Sequence, residues 1–209
     1  YNEEYFVNEN VLIPRQDTEV LVEKAIEYID KYNFESLLDM CTGSGCVGIS
    51  IANNSNIKNI TLVDISKKAL EVANKNIKIN KVGKPIIAIC SDLFTNLKDE
   101  KKYDIIVSNP PYIKTKDMSF LDVKVKKEPA LALDGGEDGV NIYIKILEQA
   151  KKFLNDGAII MFEIGYDELE SIKAIILKYR EYEMIESIKD LGNNDRVIVC
   201  RFKATNFYD

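Results

Sequence analysis

Histidine is absent from all 209 residues, which excludes every mechanism built on a Ser-His or Cys-His pair and most transition-metal sites. Cysteine is scarce. Cys41, Cys46, Cys90 and Cys200 lack the paired close spacing of a zinc site and are too few for a disulfide scaffold. They read as buried reduced thiols in a cytoplasmic protein, and no metal is expected. Positive charge is in deficit: 28 Lys and Arg against 34 Asp and Glu leave a net charge of −6. That balance counts against a general affinity for nucleic acid phosphates, which Lys and Arg drive. No apolar run approaches the roughly 20 residues of a membrane-spanning helix, and no charged-then-apolar secretory signal opens the chain. Internal repeats and low-complexity linkers are also missing. A monomer with no stable nucleic acid partner and no membrane is expected.

The hydrophobic fraction of 46% is enough for one substantial core, and the length fits one ordinary domain. Tyr5-Phe6-Val7 and Val11-Leu12-Ile13, around Asn8-Glu9-Asn10, predict a small hairpin ended by Pro14. Asp17 or Thr18 is placed to cap the helix that follows, where Val20, Leu21, Ala25, Ile26 and Ile29 recur at helical spacing. Short apolar runs at 37–38, 60–63, 86–89, 105–107 and 158–164 then alternate with helix-length stretches at 45–53, 66–80 and 140–154. Such alternation predicts a parallel sheet with helices on both faces, its strands apolar throughout because both sides are buried. After a helix at 168–179, strands at 184–188 and 197–202 flank only the Gly192-Asn193-Asn194 turn region. That link is too short for a parallel crossover, so the pair is predicted antiparallel. One long irregular segment, 109–138, is left, and a loop of that length is usually functional.

The segment from Leu37 to Gly48 reads as strand, tight turn, helix. Gly43, Gly45 and Gly48 match G-x-G-x-x-G, and Asp64 follows about 20 residues on, where a carboxylate can hold ribose hydroxyls. By that pattern alone a nicotinamide dinucleotide is a candidate. Asp39, just ahead of the turn, points elsewhere. Its charge would oppose a pyrophosphate but suit the ammonium of a methionine moiety, which favours S-adenosylmethionine. Asp64 could instead cap the helix beginning near Lys67. Asp92 could accept from an adenine amino group, with Leu93 or Phe94 against the ring, although Asp after a strand is commonly a helix cap and Phe commonly core.

Asn109-Pro110-Pro111-Tyr112 ends the fourth strand, at the edge where open α/β sheets bind ligands. The prolines stiffen the backbone and cannot donate hydrogen bonds. The Asn109 side-chain oxygen and the Pro110 carbonyl are therefore two acceptors aimed at one spot, and Tyr112 supplies a flat face. This arrangement suits a planar nitrogen with two hydrogens, such as an amide or an aromatic amine. Holding both hydrogens favours a more tetrahedral nitrogen during attack on a sulfonium methyl, with no His base needed.

With these residues in hand, the chain resembles the peptide-release-factor glutamine methyltransferases from about Phe6 to about Phe202. The resemblance rests on Pro14-Arg15-Gln16-Asp17-Thr18-Glu19, on 39–45, on Asn109-Pro110-Pro111-Tyr112 and on Glu128-Pro129-Ala130-Leu131-Ala132-Leu133-Asp134-Gly135-Gly136. Phe162-Glu163-Ile164-Gly165-Tyr166 and Asn194-Asp195-Arg196-Val197 add to it. It implies an α/β, Rossmann-like class I S-adenosylmethionine-dependent methyltransferase with a mostly parallel seven-stranded sheet. Residues 1–16 would be the hairpin and linker, and 17–209 the catalytic domain. The substrate implied is the glutamine of the Gly-Gly-Gln loop of class I release factors. Cofactor contacts are expected from Asp39, Cys41, Thr42, Gly43, Ser44, Gly45, Asp64, Ile65, Asp92, Leu93, Phe94 and Asn109. Asn109, Pro110, Pro111 and Tyr112 would hold the glutamine, with Pro14, Arg15 and Glu128 on the substrate side. Arg15 is equally suited to anchor the hairpin through a carboxylate. Cys41 stands where many methyltransferases carry Gly. The family usually carries an N-terminal helical domain that helps grip the release factor. The sequence opens on Tyr1 rather than Met, as if an upstream segment had been removed, and that domain is not in it; catalysis without it, with weaker affinity for the full partner, is the expectation.

Three rivals remain open: glutamine methylation of a ribosomal protein, amino-methylation of a nucleic-acid base, and a non-enzymatic nucleotide-binding module. Lys114, Lys116, Lys124, Lys126 and Lys127 give the long loop a basic character, which is more often a solvated face.

Overall fold

The computed structural model describes residues 3–204; Tyr1, Asn2 and 205–209, the outer ends of the segments 1–16 and 17–209, lie outside the described residues. In chain order the strands are β1 (Ser36–Met40), β2 (Asn59–Asp64), β3 (Ile86–Cys90), β4 (Tyr103–Ser108), β5 (Ile113–Lys114), β6 (Asp134–Gly136), β7 (Leu154–Glu163), β8 (Tyr182–Lys189) and β9 (Asp195–Phe202). The helices are α1 (Glu19–Tyr32), α2 (Cys46–Asn54), α3 (Lys67–Ile79), α4 (Asn141–Ala150) and α5 (Leu169–Ile176). Seven strands form one sheet in the order β3-β2-β1-β4-β7-β9-β8. The first five pair in parallel, while β9 runs antiparallel to both β7 and β8. This is the doubly wound sheet with an antiparallel end that the alternation predicts.

The continuous apolar strands feed two cores. Leu38, Ile106, Ile160, Phe162 and Ile198 join one cluster with Tyr143 of α4 and Ile172 of α5. Leu37, Ile105, Ile159, Met161 and Val197 join the other with Leu21 of α1, Ile51 of α2 and Ala73 of α3. Successive side chains of a strand point to opposite faces, so a strand buried on both sides has no polar face to show. Each fully buried Leu or Ile contributes about 1.5–3 kcal/mol. No helix among the described residues is long and apolar enough to cross a membrane.

Four expectations need correction. The N-terminal hairpin is not formed: residues 3–13 contain a turn, closed by Val11 N donating to Asn8 O at 3.3 Å, but no strand. Its backbone pairs instead with a side chain of α3. Phe6 N donates to Asn76 Oδ1 at 2.8 Å and Asn76 Nδ2 donates to Phe6 O at 3.0 Å. One fully buried Asn thus gives the segment the pair of bonds that a partner strand would have given. Thr18 occupies the N-cap position of α1, yet its hydroxyl makes no cap bond. Leu154 begins β7 rather than ending α4, because a strand and a helix share the apolar run there. Segment 109–138 is more ordered than a loop: β5 and β6 pair in parallel, and three short 3-10 turns lie between them.

Candidate active site

The strand order reverses between β1 and β4, and such a switch point leaves a crevice at the strands' carboxyl ends. A cavity occupies it. Its walls come from Asp39, Cys41, Thr42, Gly43 and Ser44 after β1, from Asp64 and Ile65 after β2, and from Asp92 and Leu93 after β3. Asn109 and Pro111 after β4, with Pro14 and Arg15, complete the predicted part. Gly45, Phe94, Pro110, Tyr112 and Glu128 do not line it. Phe94 is core, its ring stacked on Phe153 at 5.0 Å. Gly45 has φ +82 at the start of α2, and a Cβ there would meet Ile49 and Ala73. It shapes the turn rather than a wall.

The glycine turn is held by carboxylates. Asp39 is buried and accepts from the Thr42 hydroxyl at 2.5 Å and from Gly48 N at 3.0 Å. A Cβ on Gly48 would lie 2.4 Å from Leu62 Cδ2, so bare backbone is what lets α2 approach the sheet. Asp64 accepts from Gly43 N and from Ser66 N, both at 2.8 Å. The cap of α3 is Ser66, whose hydroxyl accepts from Ala69 N at 3.2 Å, so Asp64 is not the helix cap. Burial pushes the Asp39 carboxyl up to about 7, with the Asp64 charge adding to the rise against the Thr42 and Gly48 hydrogen bonds. Burial raises Asp64 as well. Two interacting carboxyls in one cavity repel a pyrophosphate and attract a cation. The cavity thus suits a cationic, methionine-like group better than a dinucleotide. Gly43 has φ +55 with open space where its Cβ would be, leaving room for a ligand against backbone.

Asn109 Nδ2 donates to the Thr18 hydroxyl at 3.3 Å. With that face of the amide engaged, Oδ1 is the atom left for a ligand. Behind it, Ser108 Oγ donates to Met40 O at 2.7 Å, tying the end of β4 to β1. Pro110 is buried and Tyr112 half-buried against the core. Burial raises the Tyr112 phenol to about 12, with the Glu163 charge adding to the rise. Arg15 pairs with Glu128 at 2.5 Å, and Glu128 also accepts from Ile13 N at 3.3 Å. Of the two roles open to Arg15, anchoring the N-terminal segment is therefore made, and Arg15 still faces the cavity. In the basic loop, Lys114 lies 3.7 Å from Asp167 and Lys126 donates to Ser119 O at 2.6 Å.

Comparison with known proteins agrees with this geometry. The model of the Methyltransferase small domain family matches residues 16–127. A release factor glutamine methyltransferase of Thermodesulfovibrio yellowstonii is 39% identical over 96% of this chain and 72% of its own length. The chain belongs to the release factor glutamine methyltransferase family. A ribosomal protein uL3 glutamine methyltransferase of Francisella tularensis is 42% identical over 78% of the chain and 52% of its own length. Among solved structures, a methyltransferase from Pyrococcus furiosus superposes with a TM-score of 0.71 at 20% identity, covering 98% of this chain and 91% of that one. The fold is the class I methyltransferase fold, and the chain is a methyltransferase.

In this family member, several site residues escape motif reading. Asn10, Val11 and Leu12 line the cavity although they come from the segment read as a hairpin. Pro129, Leu131 and Ala132 reach it from the long loop. Thr18 carried a capping signal, which masked its bond to Asn109. Glu163 follows the apolar run of β7 and is 1% exposed. A charged residue at the carboxyl end of the buried half of a strand, 158–163, was the available signal.

Proposed function

We propose that this chain transfers a methyl group from S-adenosylmethionine to the side-chain amide nitrogen of the glutamine in the Gly-Gly-Gln motif of class I release factors. The observation that carries the reading is Asn109. Its amide is anchored on Thr18 at the end of β4, and it borders the same cavity as the paired carboxyls Asp39 and Asp64. When bound, S-adenosylmethionine supplies an electrophilic methyl on a sulfonium. Asp39 would hold the methionine ammonium and Asp64 the ribose hydroxyls. Asn109 Oδ1, which borders the cavity, would accept one hydrogen of the glutamine amide, and the Pro110 carbonyl, set back from the cavity wall, is the acceptor the motif offers for the other. That would fix the nitrogen for in-line attack and stabilise the positive charge developing on it; as the N–C bond forms, the methyl–sulfur bond breaks with its electron pair on sulfur, leaving S-adenosylhomocysteine, and the nitrogen gives up one proton to solvent. Tyr112 provides the flat face on the substrate side, and Arg15 with Glu128 braces it. The release-factor reading is preferred over the ribosomal one because the similarity to the release-factor relative runs over nearly the whole chain. Transfer of radiolabel from S-adenosylmethionine to a class I release factor tests it, with a ribosomal protein uL3 substrate and a DNA duplex as competitors. Label on either competitor in place of the release factor would contradict it.

Cofactor affinity should depend on pH through Asp39. Its carboxyl titrates near 7 without a ligand, and a neighbouring ammonium favours the ionised form. Binding therefore releases a proton, so affinity rises with pH up to about 7 and levels off above it. Below 7 it falls with a limiting slope of roughly tenfold per pH unit. Calorimetric titration between pH 5.5 and 8.5 measures this, and a flat profile removes Asp39 from the ammonium role. Asp64→Ala should weaken S-adenosylmethionine binding by about 10- to 100-fold, the worth of a charge-assisted hydrogen bond. Unchanged affinity in the same titration would exclude Asp64 from the ribose.

A further inference from the structure

Glu163 is a buried carboxyl behind the Asn109 wall of the cavity rather than among its lining residues, and the reaction above gives it no part. It ends β7, beside β4, with Phe162 paired to Ser108 in the parallel ladder. The residue is 1% exposed, and its Oε2 has no hydrogen-bond partner among the described residues. A buried carboxyl with an unmet oxygen is costly, so its place needs a reason.

Its neighbours supply one. Thr18 and Asn109, joined to each other through Nδ2 and the hydroxyl at 3.3 Å, lie close enough to the Glu163 carboxyl that their side chains favour its ionised form. Asp17 and Thr18 face it from the start of α1, Asn109 and Tyr112 from the loop after β4, and Arg196 from β9. Cys46 approaches from α2. Tyr143 of α4 donates its hydroxyl to the Glu163 backbone carbonyl at 3.0 Å. Arg196 is itself committed to Asp190 at 2.9 Å and to Ile164 O at 3.2 Å, so it lends charge without capping the carboxyl.

We propose that Glu163 is a positioning residue: its carboxylate, with Thr18, holds the Nδ2 side of Asn109, so that Oδ1 is presented to the substrate amide. An ionised carboxylate only accepts hydrogen bonds, and of the two ends of an amide only the nitrogen donates. Ionised Glu163 therefore admits one orientation of Asn109. Protonated Glu163 carries a donor and can meet Oδ1 instead, which would turn Nδ2 toward the substrate nitrogen's own hydrogens. Burial pushes this carboxyl up to about 7, so the orientation is lost as pH falls through neutrality.

This inference rests on the proposed role of Asn109, and its test has one readout independent of methyl transfer. The side-chain amide resonances of Asn109, assigned by their loss in Asn109→Ala, are followed by nitrogen-15 NMR from pH 5.5 to 8.5 in the intact chain. Wild type should show one titration near 7, absent in Glu163→Gln. With saturating cofactor, kcat on the release factor should fall on the acid side with the same midpoint. Glu163→Gln should lose that limb and about 10- to 100-fold in kcat, with KM for the release factor changed less than about threefold. Glu163→Asp keeps a carboxylate and should restore the titration, which also guards against misfolding of the Gln variant. Asn109 resonances that ignore pH, or that titrate alike in Glu163→Gln, would overturn the proposal. A wild type with the titration but without methyl transfer would sink the substrate reading and leave the positioning role standing.

Discussion

Asn109→Ala should lose methyl transfer by roughly 100- to 1,000-fold, the usual consequence of removing one preorganised polar group from a transition-state site. The side chain is half-buried and donates to Thr18 at 3.3 Å without belonging to either hydrophobic core, so the fold should survive. Cofactor affinity should fall far less than turnover, because the proposed charged and charge-assisted contacts to the cofactor are those of Asp39 and Asp64. Single-turnover kinetics and circular dichroism on the same preparation separate these effects. Near-normal turnover in a folded variant would mean that the amide acceptor lies elsewhere.

Gly135→Ala should be almost as damaging, although Gly135 does not border the cavity. A Cβ there would lie 2.8 Å from the Pro111 carbonyl, 2.8 Å from Tyr112 Cα and 2.9 Å from the Gly139 carbonyl. All three are backbone atoms and none can swing away. The methyl group must therefore displace the Asn-Pro-Pro-Tyr segment or break the β5–β6 pair that holds it. A shift of about 1 Å at a reacting group costs on the order of 100-fold. Turnover should drop by about that factor while S-adenosylmethionine binding stays within about threefold. Wild-type turnover in Gly135→Ala would show that the ribbon does not back the catalytic segment.

These two residues also show how far the sequence could be read. Asn109 was visible because its signal is local: a polar residue, two prolines and an aromatic after an apolar run, at a strand end where ligands gather. Asp39, Gly43 and Asp64 were visible for the same reason, and the two-sided burial of β1, β4 and β7 followed from the continuous apolar runs at 37–38, 105–107 and 158–162 within them. Gly135 was legible only as part of a resemblance, since two of the three atoms that forbid its Cβ belong to Pro111 and Tyr112, on a separate stretch of chain. The N-terminal segment was misread because alternating apolar residues around Asn8-Glu9-Asn10 fit a hairpin locally. The bonds that decide the matter come from Asn76, on α3, 70 residues distant. Of Leu93 and Phe94, the two candidates for the adenine face, Leu93 lines the cavity and Phe94 lies against Phe153, because strand-end position does not fix which way a side chain turns. Glu163 was quoted as part of a motif but given no task, because its task depends on Thr18 and Asn109 meeting it from two other elements.

The most direct test of the account is to incubate the chain with S-adenosylmethionine and an intact class I release factor, then map the modified residue by peptide mass spectrometry. A release factor whose Gly-Gly-Gln glutamine is Ala serves as the control. The account predicts one added methyl group on that glutamine, on its side-chain amide, and none on the control. Methyl groups on the control at equal yield, or on another residue of the normal factor, would contradict it.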